Sequence, residues 1–565
     1  MMNKIFKTNW LILAFFLSYF IIGLALYHPV LNSFFVSDDF DWLTRAKFTP
    51  LTIGSYFLKN SNGGTEGGVY RPLTELSYLL DYKISGLNPA FFHFSNLLFF
   101  SLTSLVLFWL VFLLTKKRWL GFLSGLFFLI LPNHPEAVSW ISGRGDVLAA
   151  FFYILSLALY IKLRQVSVAT FLNSATKKPR NKKVFFLFVL SLISFFFSVL
   201  CKEMGLTLPA LIVAYEILFV SGWKKESWRG VLKRLLYLLP YALVLLLYLF
   251  LRFKTTAILA GFYANPQVKP SAVHLIRTLI TIIDSNFFEN FHRLGVAARV
   301  MRLYVFIPGV CLLSYFIYLI LKKYRQEKIA LLGLIILIVG AFPALPLSFS
   351  LNTSEGERFA YLPSLGMAII LGWISYKIIS FKLTKYLQFL PPAILILFLS
   401  FVLVQKNYYW QEAGAISQNL LFNFGQKVNL QTKQGIVILA MPDNVYGAQV
   451  LRNGWFSALR LYYPNYTPDL LVAVPRLHIT DTGLAVWLAK ADGFASKGTE
   501  KVFHGAPKLE SLDYTMQITN YDKKISSGDF LEITFTKDFL AQMKQKKIIF
   551  LAPFYDEFKI LELKK

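Results

Sequence analysis

The sequence is dominated by apolar segments, each about as long as a lipid bilayer is thick. Of the 565 residues, 56% are hydrophobic and only 16% are charged, whereas a soluble domain carries about 25% charged residues. A helix of roughly 20 apolar residues crosses the hydrocarbon core. Length and apolarity therefore predict a mostly α-helical, polytopic membrane protein with about eleven spans, at residues 10–27, 92–115, 119–132, 146–163, 184–201, 205–220, 235–252, 303–321, 329–347, 361–377 and 387–404.

Basic residues concentrate in alternate loops, which predicts the orientation of the chain. The positive-inside rule places such loops in the cytoplasm, and here they lie at residues 116–118, 177–183, 224–234, 322–325 and 382–385. This topology signal explains the net charge of +27 better than a nucleic-acid partner does. The N-terminus is therefore expected to be cytoplasmic, with outward loops at residues 28–91, 133–145, 253–302 and 348–360.

The first apolar segment has the length and basic flank of a signal peptide as well as of a span. No small-residue cleavage site follows it, because the next residues are His28, Pro29 and Val30. We therefore interpret it as a retained span. The two cysteines, Cys201 and Cys311, lie in or beside apolar segments and form no CxxC or Cys/His pattern, so the sequence predicts neither a zinc site nor a disulfide framework.

The chain changes character after about residue 410. Segments 435–440, 530–535 and 547–552 are rich in apolar and β-branched residues and are predicted to be strands. Residues 448–461 show helical spacing of apolar side chains. The sequence thus predicts a transmembrane domain at residues 1–410 and a small extracytoplasmic α/β domain at residues 411–565.

Three carboxylates, Asp38, Asp39 and Asp41, follow the first span directly. Acidic residues are favoured at the start of a helix, where they cap free backbone N–H groups, and taken alone the motif is best explained as a helix cap. The alternative is a general base or a metal ligand held at the membrane surface.

Charged residues recur in the other outward loops. Each has a structural explanation of its own, such as an interfacial arginine or a paired polar cluster. Yet basic residues on the outer side run against the positive-inside bias and call for another reason, for which an anionic substrate suffices. The basic members are Arg71, Arg144, Lys202, Arg252 and Arg358, and the other candidate site residues are His93, His134, Glu136, Asp146, Glu203, Glu357 and Tyr361.

The motifs together resemble the type C (GT-C) glycosyltransferases, and among them the protein O-mannosyltransferase-like group that includes transmembrane enzymes with C-terminal TPR repeats. The matching segments follow the family's order over about residues 1–410. No TPR array is visible, and a different domain is expected in its place. The segments are Asp38-Asp39, Tyr70-Arg71-Pro72-Leu73 with Asp81, Asn88-Pro89 with His93 and Asn96, His134-Pro135-Glu136 with Arg144 and Asp146, Lys202-Glu203, and Glu357-Arg358 with Tyr361.

The resemblance implies an inverting transfer of a sugar from a polyprenyl-phosphate carrier to an acceptor on the outer face of the membrane. Phosphate is already a good leaving group, so a single base that takes the acceptor proton is enough. The resemblance assigns that role to Asp39 or Asp38, with Asp39 preferred. Binding of the donor phosphate is expected from the cations Arg358, Lys202, Arg144 and Arg71, and the remaining candidates are expected to bind substrate or to form a structural polar cluster.

Several points stay open at the level of the sequence. Mannose is the sugar expected from the family, but another hexose or a pentose is compatible with it, and the acceptor is a protein or a glycan or lipid of the cell envelope. The residues define no metal site, although some type C relatives bind a divalent ion such as Mg²⁺ or Mn²⁺. The short loops favour a bacterial or archaeal cell membrane. A lipid-linked sugar flippase and a non-catalytic scaffold are the alternative functions.

Overall fold

We analysed a computed structural model of the chain. It describes residues 2–58, 69–173, 182–220, 236–256, 327–344, 356–381 and 386–431, then residues 436–561 with short gaps, and isolated positions between 257 and 326. The helices are α1 Met2–Tyr27, α2 Asp39–Phe48, α3 Ile53–Phe57, α4 Pro72–Ser85, α5 Pro89–Thr115, α6 Arg118–Ile130, α7 Pro135–Val138, α8 Arg144–Asn173, α9 Lys182–Cys201, α10 Leu208–Tyr215, α11 Leu239–Thr256, α12 Lys328–Ala341, α13 Tyr361–Ser380, α14 Leu390–Lys427 and α15 Trp455–Tyr462.

The predicted membrane spans coincide with helices wherever the chain is described. Within the described residues, eight helical segments are long and apolar enough to cross a bilayer, and the helices Arg118–Ile130 and Lys328–Ala344 are apolar but shorter. Predicted span 303–321 lies outside the described residues except for two isolated positions. The mostly helical, multi-pass membrane class is therefore confirmed, while the total of eleven spans stays a prediction.

Local sequence signals set the starts of α4 and α5. Pro72 occupies the first turn of α4, where its missing N–H costs no hydrogen bond. The side chain of Asn88 caps α5 by accepting a bond from Ala90 N at 3.2 Å, and Pro89 follows it as the first helical residue. Arg71 thus directly precedes α4, and His93 lies near the start of α5.

The chain forms two compact units. The first contains Met1–Asn32 and Thr49–Tyr408, and the second contains Ser33–Phe48 and Tyr409–Lys565. The division after Tyr408 lies close to the boundary predicted at residue 410. The segment Ser33–Phe48, which the sequence assigned to the transmembrane domain, belongs to the second unit.

The second unit contains the predicted sheet. Strand β1 Ile436–Leu439 lies between β10 Ile549–Phe554 and β4 Leu471–Thr480 and is parallel to both. The six-stranded order is β11-β10-β1-β4-β5-β6, completed by β5 Gly483–Asp492, β6 Ala495–Phe503 and β11 Glu557–Leu561. A second sheet joins β7 Lys508–Glu510, β8 Tyr514–Thr519 and β9 Phe530–Phe535. The predicted α/β class of this region is confirmed.

The sequence predicted a helix at residues 448–461, but the helix in the structure begins later. Strands β2 Asn444–Val445 and β3 Ala448–Gln449 form a hairpin, whose two turn residues have φ angles of 50° at Tyr446 and 91° at Gly447. Such positive φ angles are typical of a tight two-residue hairpin turn. Helix α15 begins only at Trp455, after Gly454. The spacing of apolar residues therefore predicted a helix at residues 448–449, which form the second strand of a hairpin.

A buried ion pair ties α8 to the segment that follows α10. Glu216 opens a π-helical turn, Glu216–Val220, and its carboxylate accepts from Arg164 Nε at 2.7 Å and from Arg164 Nη2 at 2.9 Å. The hydroxyl of Tyr160 donates to the same carboxylate at 2.8 Å. Because both charged side chains are buried, each depends on the other for compensation.

We expect Glu216→Gln to destabilise the protein, because it leaves the Arg164 charge buried without its counter-charge. Loss of one partner of a buried pair costs about 3 kcal/mol, measured here as a lower unfolding midpoint in detergent. The double variant Arg164→Met with Glu216→Leu removes both charges and should recover most of the loss. Equal midpoints for wild type and Glu216→Gln would contradict the role of the pair.

Candidate functional site

In the first unit, the charged candidates meet where the spans are joined. Most of them are buried, and each of five ion pairs links two different segments of the chain. Burial of an isolated charge is costly, so the pairs hold these segments together. The pairs are Arg71 with Glu203, Arg144 with Asp81, Lys202 with Asp146, Arg358 with Glu136, and Lys406 with Glu357.

Arg144 is a member of this cluster that is only 1% exposed. Its Nη1 contacts Asp81 Oδ2 at 2.6 Å, and its Nε donates to Asn96 Oδ1 at 2.7 Å. Its Nη2 donates to the carbonyl of Phe92 at 2.9 Å. Burial raises the pKa of Asp81, although the guanidinium of Arg144 opposes the rise. The protein itself thus uses the donors of Arg144, which fix α4 and α5 against the start of α8.

Lys202 and Glu203 are adjacent in the chain, yet each forms an ion pair with a residue of another segment. Lys202 Nζ lies 2.5 Å from Asp146 Oδ2. Arg71 donates to both carboxylate oxygens of Glu203, from Nη2 at 2.7 Å and from Nε at 3.2 Å. This short connection between two spans therefore contributes one cation and one anion to the same cluster.

Arg358 is the most exposed of the four predicted phosphate ligands. Its Nη1 lies 3.8 Å from Glu136 Oε1, and its side chain is 17% exposed, against 2% for Arg144 and 4% for Lys202. The guanidinium stacks on Trp140, 4.7 Å from the ring centroid. A planar guanidinium stacked on an indole presents its donors along one edge, a geometry that suits a phosphate.

Lys406 is a member of the cluster that the sequence analysis missed. It is 1% exposed and pairs with Glu357. The next residue, Asn407, accepts from Ser139 Oγ at 2.6 Å and donates to the carbonyl of Leu26 at 2.9 Å. A lysine just past an apolar span resembles an ordinary flanking charge. Its pairing with Glu357 is therefore visible only in the folded structure.

Arg252 stands apart because no carboxylate pairs with it among the described residues. It is 3% exposed, and its Nη1 donates to the neutral hydroxyl of Tyr248 at 3.2 Å. The Tyr248 ring lies 6.0 Å from that of Tyr70, the neighbour of Arg71 in the chain. A buried cation without a counter-charge is costly, and an anionic ligand would remove that cost.

His134 and Tyr361 lie inside an aromatic core. Their rings are 4.8 Å apart, and the His134 ring lies 4.8 Å from that of Phe128. His134 Nε2 is within 2.7 Å of Ser364 Oγ. Both side chains are fully buried, so in this structure they pack the core and present no surface to a substrate. His93 is also buried, in the first turn of α5 beside the carbonyl that Arg144 binds.

A close approach of two backbone segments shapes the loop that carries Glu136 and Arg144. A Cβ atom at Gly143 would lie 2.4 Å from the carbonyl oxygen of Ala137 and 2.5 Å from that of Glu136. Only glycine fits there. Glycine is therefore required at position 143, in the loop that carries both Glu136 and Arg144.

The carboxylates that follow the first span belong to the second unit. Helix α2 begins at Asp39, directly after Asp38, as the capping interpretation predicts. Asp39 is 1% exposed and its Oδ2 accepts from Val36 N at 3.0 Å, whereas Asp38 is partly exposed. Asp41 reaches the surface, yet desolvation by the surrounding protein and the charge of Asp38 raise its pKa to about 7, opposed by a hydrogen bond from Ser457.

Metal ligation has no obvious place in the described part of the chain, where no group of three or more His, Cys, Asp or Glu side chains is arranged to hold an ion. The carboxylates of the first unit are instead used by its cations.

Burial lowers the pKa of His134 from 6.5 to about 3, which predicts a pH-dependent stability. The folded state favours the neutral ring, so its contribution is present above pH 6.5 and is lost as the pH falls from 6.5 towards 3. The variant His134→Asn should unfold more easily at neutral pH but lose less stability on acidification, measured by unfolding midpoints across this range. An equal acid dependence in both proteins would contradict a neutral buried His134.

No family model matches the chain. Among curated proteins, it is 25% identical over 405 residues to the protein O-mannosyl-transferase TMTC3 of Mus musculus, covering 64% of this chain and 40% of that protein. It is 33% identical over 204 residues to the protein O-mannosyl-transferase TMTC2 of Homo sapiens, covering 35% of this chain and 23% of that protein. The chain thus spans well under half the length of these relatives.

Two solved structures show a weaker likeness. The oligosaccharyltransferase of Archaeoglobus fulgidus in the apo form aligns with a TM-score of 0.47 at 13% identity, covering 82% of this chain and 64% of that one. ArnT from Cupriavidus metallidurans bound to undecaprenyl phosphate aligns with a TM-score of 0.43 at 12% identity, covering 87% and 98%. At the level of sequence, the chain is homologous to the protein O-mannosyl-transferases over about two thirds of its length.

Proposed function

We propose that this protein transfers a glycosyl group from a polyprenyl-phosphate carrier to an acceptor hydroxyl. The homology to protein O-mannosyl-transferases supports the reaction class. The observation that carries the proposal is Arg252, a buried cation that lacks a carboxylate partner among the described residues and lies near the Arg71–Glu203 pair. A donor phosphate would supply the missing negative charge.

In this proposal, the cations of the first unit divide into two roles. Arg252 and Arg358 bind the phosphate directly, since the first pairs with no carboxylate among the described residues and the second is partly exposed, 3.8 Å from the carboxylate of Glu136. Lys202 and Arg71, which already have carboxylate partners, add positive potential around it. Arg144 positions the helices, because protein acceptors use its donors.

The chemistry needs one base and a stabilised leaving group. The acceptor oxygen attacks the anomeric carbon as the bond from that carbon to the phosphate oxygen breaks, which inverts the anomeric configuration. The acceptor proton passes to an aspartate, and the electron pair leaves with the polyprenyl phosphate. The guanidinium groups that bind the donor phosphate stabilise its developing charge, so no acid is required.

Accessibility distinguishes the two candidate bases. The family resemblance favours Asp39, but that side chain is 1% exposed and accepts a hydrogen bond from Val36 N. Asp38 is partly exposed at the start of α2. We therefore assign the proton transfer to Asp38 and the positioning of the turn to Asp39.

The finer assignments follow the relatives and the sequence. Mannose as the sugar and a protein as the acceptor are taken from the names of the homologues. The predicted topology places the reaction on the outer face of a bacterial or archaeal membrane, with the N-terminus in the cytoplasm. A flippase would carry the same lipid-linked sugar across the bilayer without consuming it, and the donor assay below distinguishes the two.

The first test measures sugar release from a panel of polyprenyl-phosphate sugars by purified protein with a peptide or envelope-glycan acceptor. Wild type should consume one donor, with mannose expected, and Asp38→Asn should lower kcat by about 10²–10⁴-fold because the base is lost. Asp39→Asn should lower both activity and the unfolding midpoint. Donor that crosses proteoliposomes unconsumed would overturn the transferase in favour of the flippase.

A second test concerns the phosphate. Arg252→Gln should raise KM for the donor at least tenfold, because a charge-assisted hydrogen bond contributes roughly 1.5–3 kcal/mol. Arg252→Lys keeps the positive charge and should raise KM less. Lys254→Gln is the matched control, since Lys254 is an exposed cation on the same helix. An equal KM in Arg252→Gln and Lys254→Gln would remove Arg252 from the donor site.

A further inference from the structure

The carboxylate loop, residues 36–41, is held by a segment more than four hundred positions away in the chain. The backbone N–H of Ser37 donates to the carbonyl of Val450 at 2.8 Å. The Ser37 hydroxyl donates to Gln449 Oε1 at 3.0 Å, and both side chains are buried. The position of this loop in the second unit therefore depends on residues after the last span.

The backbone of the loop is held in an unfavourable conformation at the same point. Ser37 has a φ angle of 47°, in the left-handed region that residues other than glycine rarely adopt. Such a conformation persists only where the surrounding structure enforces it, and it is often found at functional sites. The two hydrogen bonds to residues 449 and 450 are the contacts that enforce it here.

Gly454 closes against the loop from the same segment. Its φ angle is 78°, and a Cβ atom there would lie 2.1 Å from the carbonyl oxygen of Ser37 and 3.3 Å from Phe40 Cβ. No side chain fits in that space. Glycine is thus required at position 454 for the loop and the start of α15 to touch.

Helix α15 extends the contact beyond the loop into α2. The hydroxyl of Ser457 donates to Asp41 Oδ1, and its carbonyl accepts from Thr44 Oγ1 at 3.3 Å. Lys47 Nζ reaches the carbonyl of Leu461 at 3.2 Å. Successive turns of α2 are therefore attached to α15, so a shift of α15 would move the start of α2.

We propose that Gln449, Val450, Gly454 and Ser457, which we call the clamp, position the Asp38 carboxylate for proton transfer. The clamp acts through the Ser37 backbone, the packing of Gly454 and the Ser457 hydroxyl, and it contacts no reacting atom. The region after the last span is then part of the catalytic apparatus and more than an acceptor-binding module. This inference rests on the proposed glycosyl transfer, but the contact itself is testable without activity.

The test compares Gly454→Ala with Gly425→Ala in the full-length protein. Both substitutions add a methyl group in the second unit where no space exists, since a Cβ at Gly425 would lie 2.3 Å from Tyr463 Oη. Only Gly454 contacts the carboxylate loop. Hydrogen exchange of peptides from residues 33–48 and donor kinetics are measured for both variants and for wild type.

We expect Gly454→Ala to speed exchange in residues 36–42 and to lower kcat by about 10²-fold, since a shift of about 1 Å at a reacting group has that effect, with donor KM unchanged. Gly425→Ala should change exchange near Tyr463 and leave residues 36–42 protected. Equal exchange in the loop for both variants would overturn the clamp. If wild type consumes no donor, the proposed function fails, and the exchange result still decides the contact.

A milder pair covers the case in which Gly454→Ala does not fold. Ser457→Ala removes the hydroxyl that binds Asp41, whereas Ser457→Thr keeps it. The alanine variant should lower kcat at unchanged donor KM and speed exchange at the start of α2, and the threonine variant should restore both. Full activity and wild-type exchange in Ser457→Ala would contradict a positioning role for α15.

Discussion

The buried ion pairs of the first unit are the constraint on which its polar architecture depends. Each pair joins segments that are far apart in sequence, as Arg71 and Glu203 are at a separation of 132 positions. A charge removed from water must find a partner, and breaking such a pair is far more costly than making it is favourable. The connections between spans are therefore held in one arrangement, with Arg144 nearly inaccessible.

The proposed phosphate ligands are the arginines that depart from this pattern of close, buried ion pairs. Nearly every buried cation described in the first unit has a carboxylate partner, and a cation that is already paired attracts an anion less strongly. Among the described residues, Arg252 pairs with no carboxylate and donates to a tyrosine hydroxyl, and Arg358 is partly exposed, 3.8 Å from the carboxylate of Glu136. The proposed division into positioning residues and phosphate ligands rests on this difference between arginines that look alike in the sequence.

The second unit raises a different physical question, which is how a short loop keeps its carboxylates in place. The loop contains a residue in a left-handed conformation, and its backbone and side-chain bonds run to residues 449 and 450. Directional hydrogen bonds and a glycine contact restrain such a loop more tightly than apolar packing does, because small shifts break them. The position of the carboxylates within the second unit thus depends on residues that follow the last predicted span.

The sequence by itself determined the features that depend on neighbouring residues. Apolar length predicted the helical spans, Pro72 and Asn88-Pro89 marked the starts of α4 and α5, and β-branched segments marked β1, β9 and β10. It also singled out most of the charged residues that cluster in the first unit. These features follow from helix geometry, capping and strand propensity, which act over a few residues.

Only the tertiary structure decided which charges are partners. Lys202 and Glu203 are adjacent, yet they pair with Asp146 and Arg71. From the sequence, Lys406 resembles a lysine that flanks a membrane span, whereas in the structure it pairs with Glu357. The choice depends on which groups lose their water together in the folded chain, and that loss is set by long-range packing that no local pattern records.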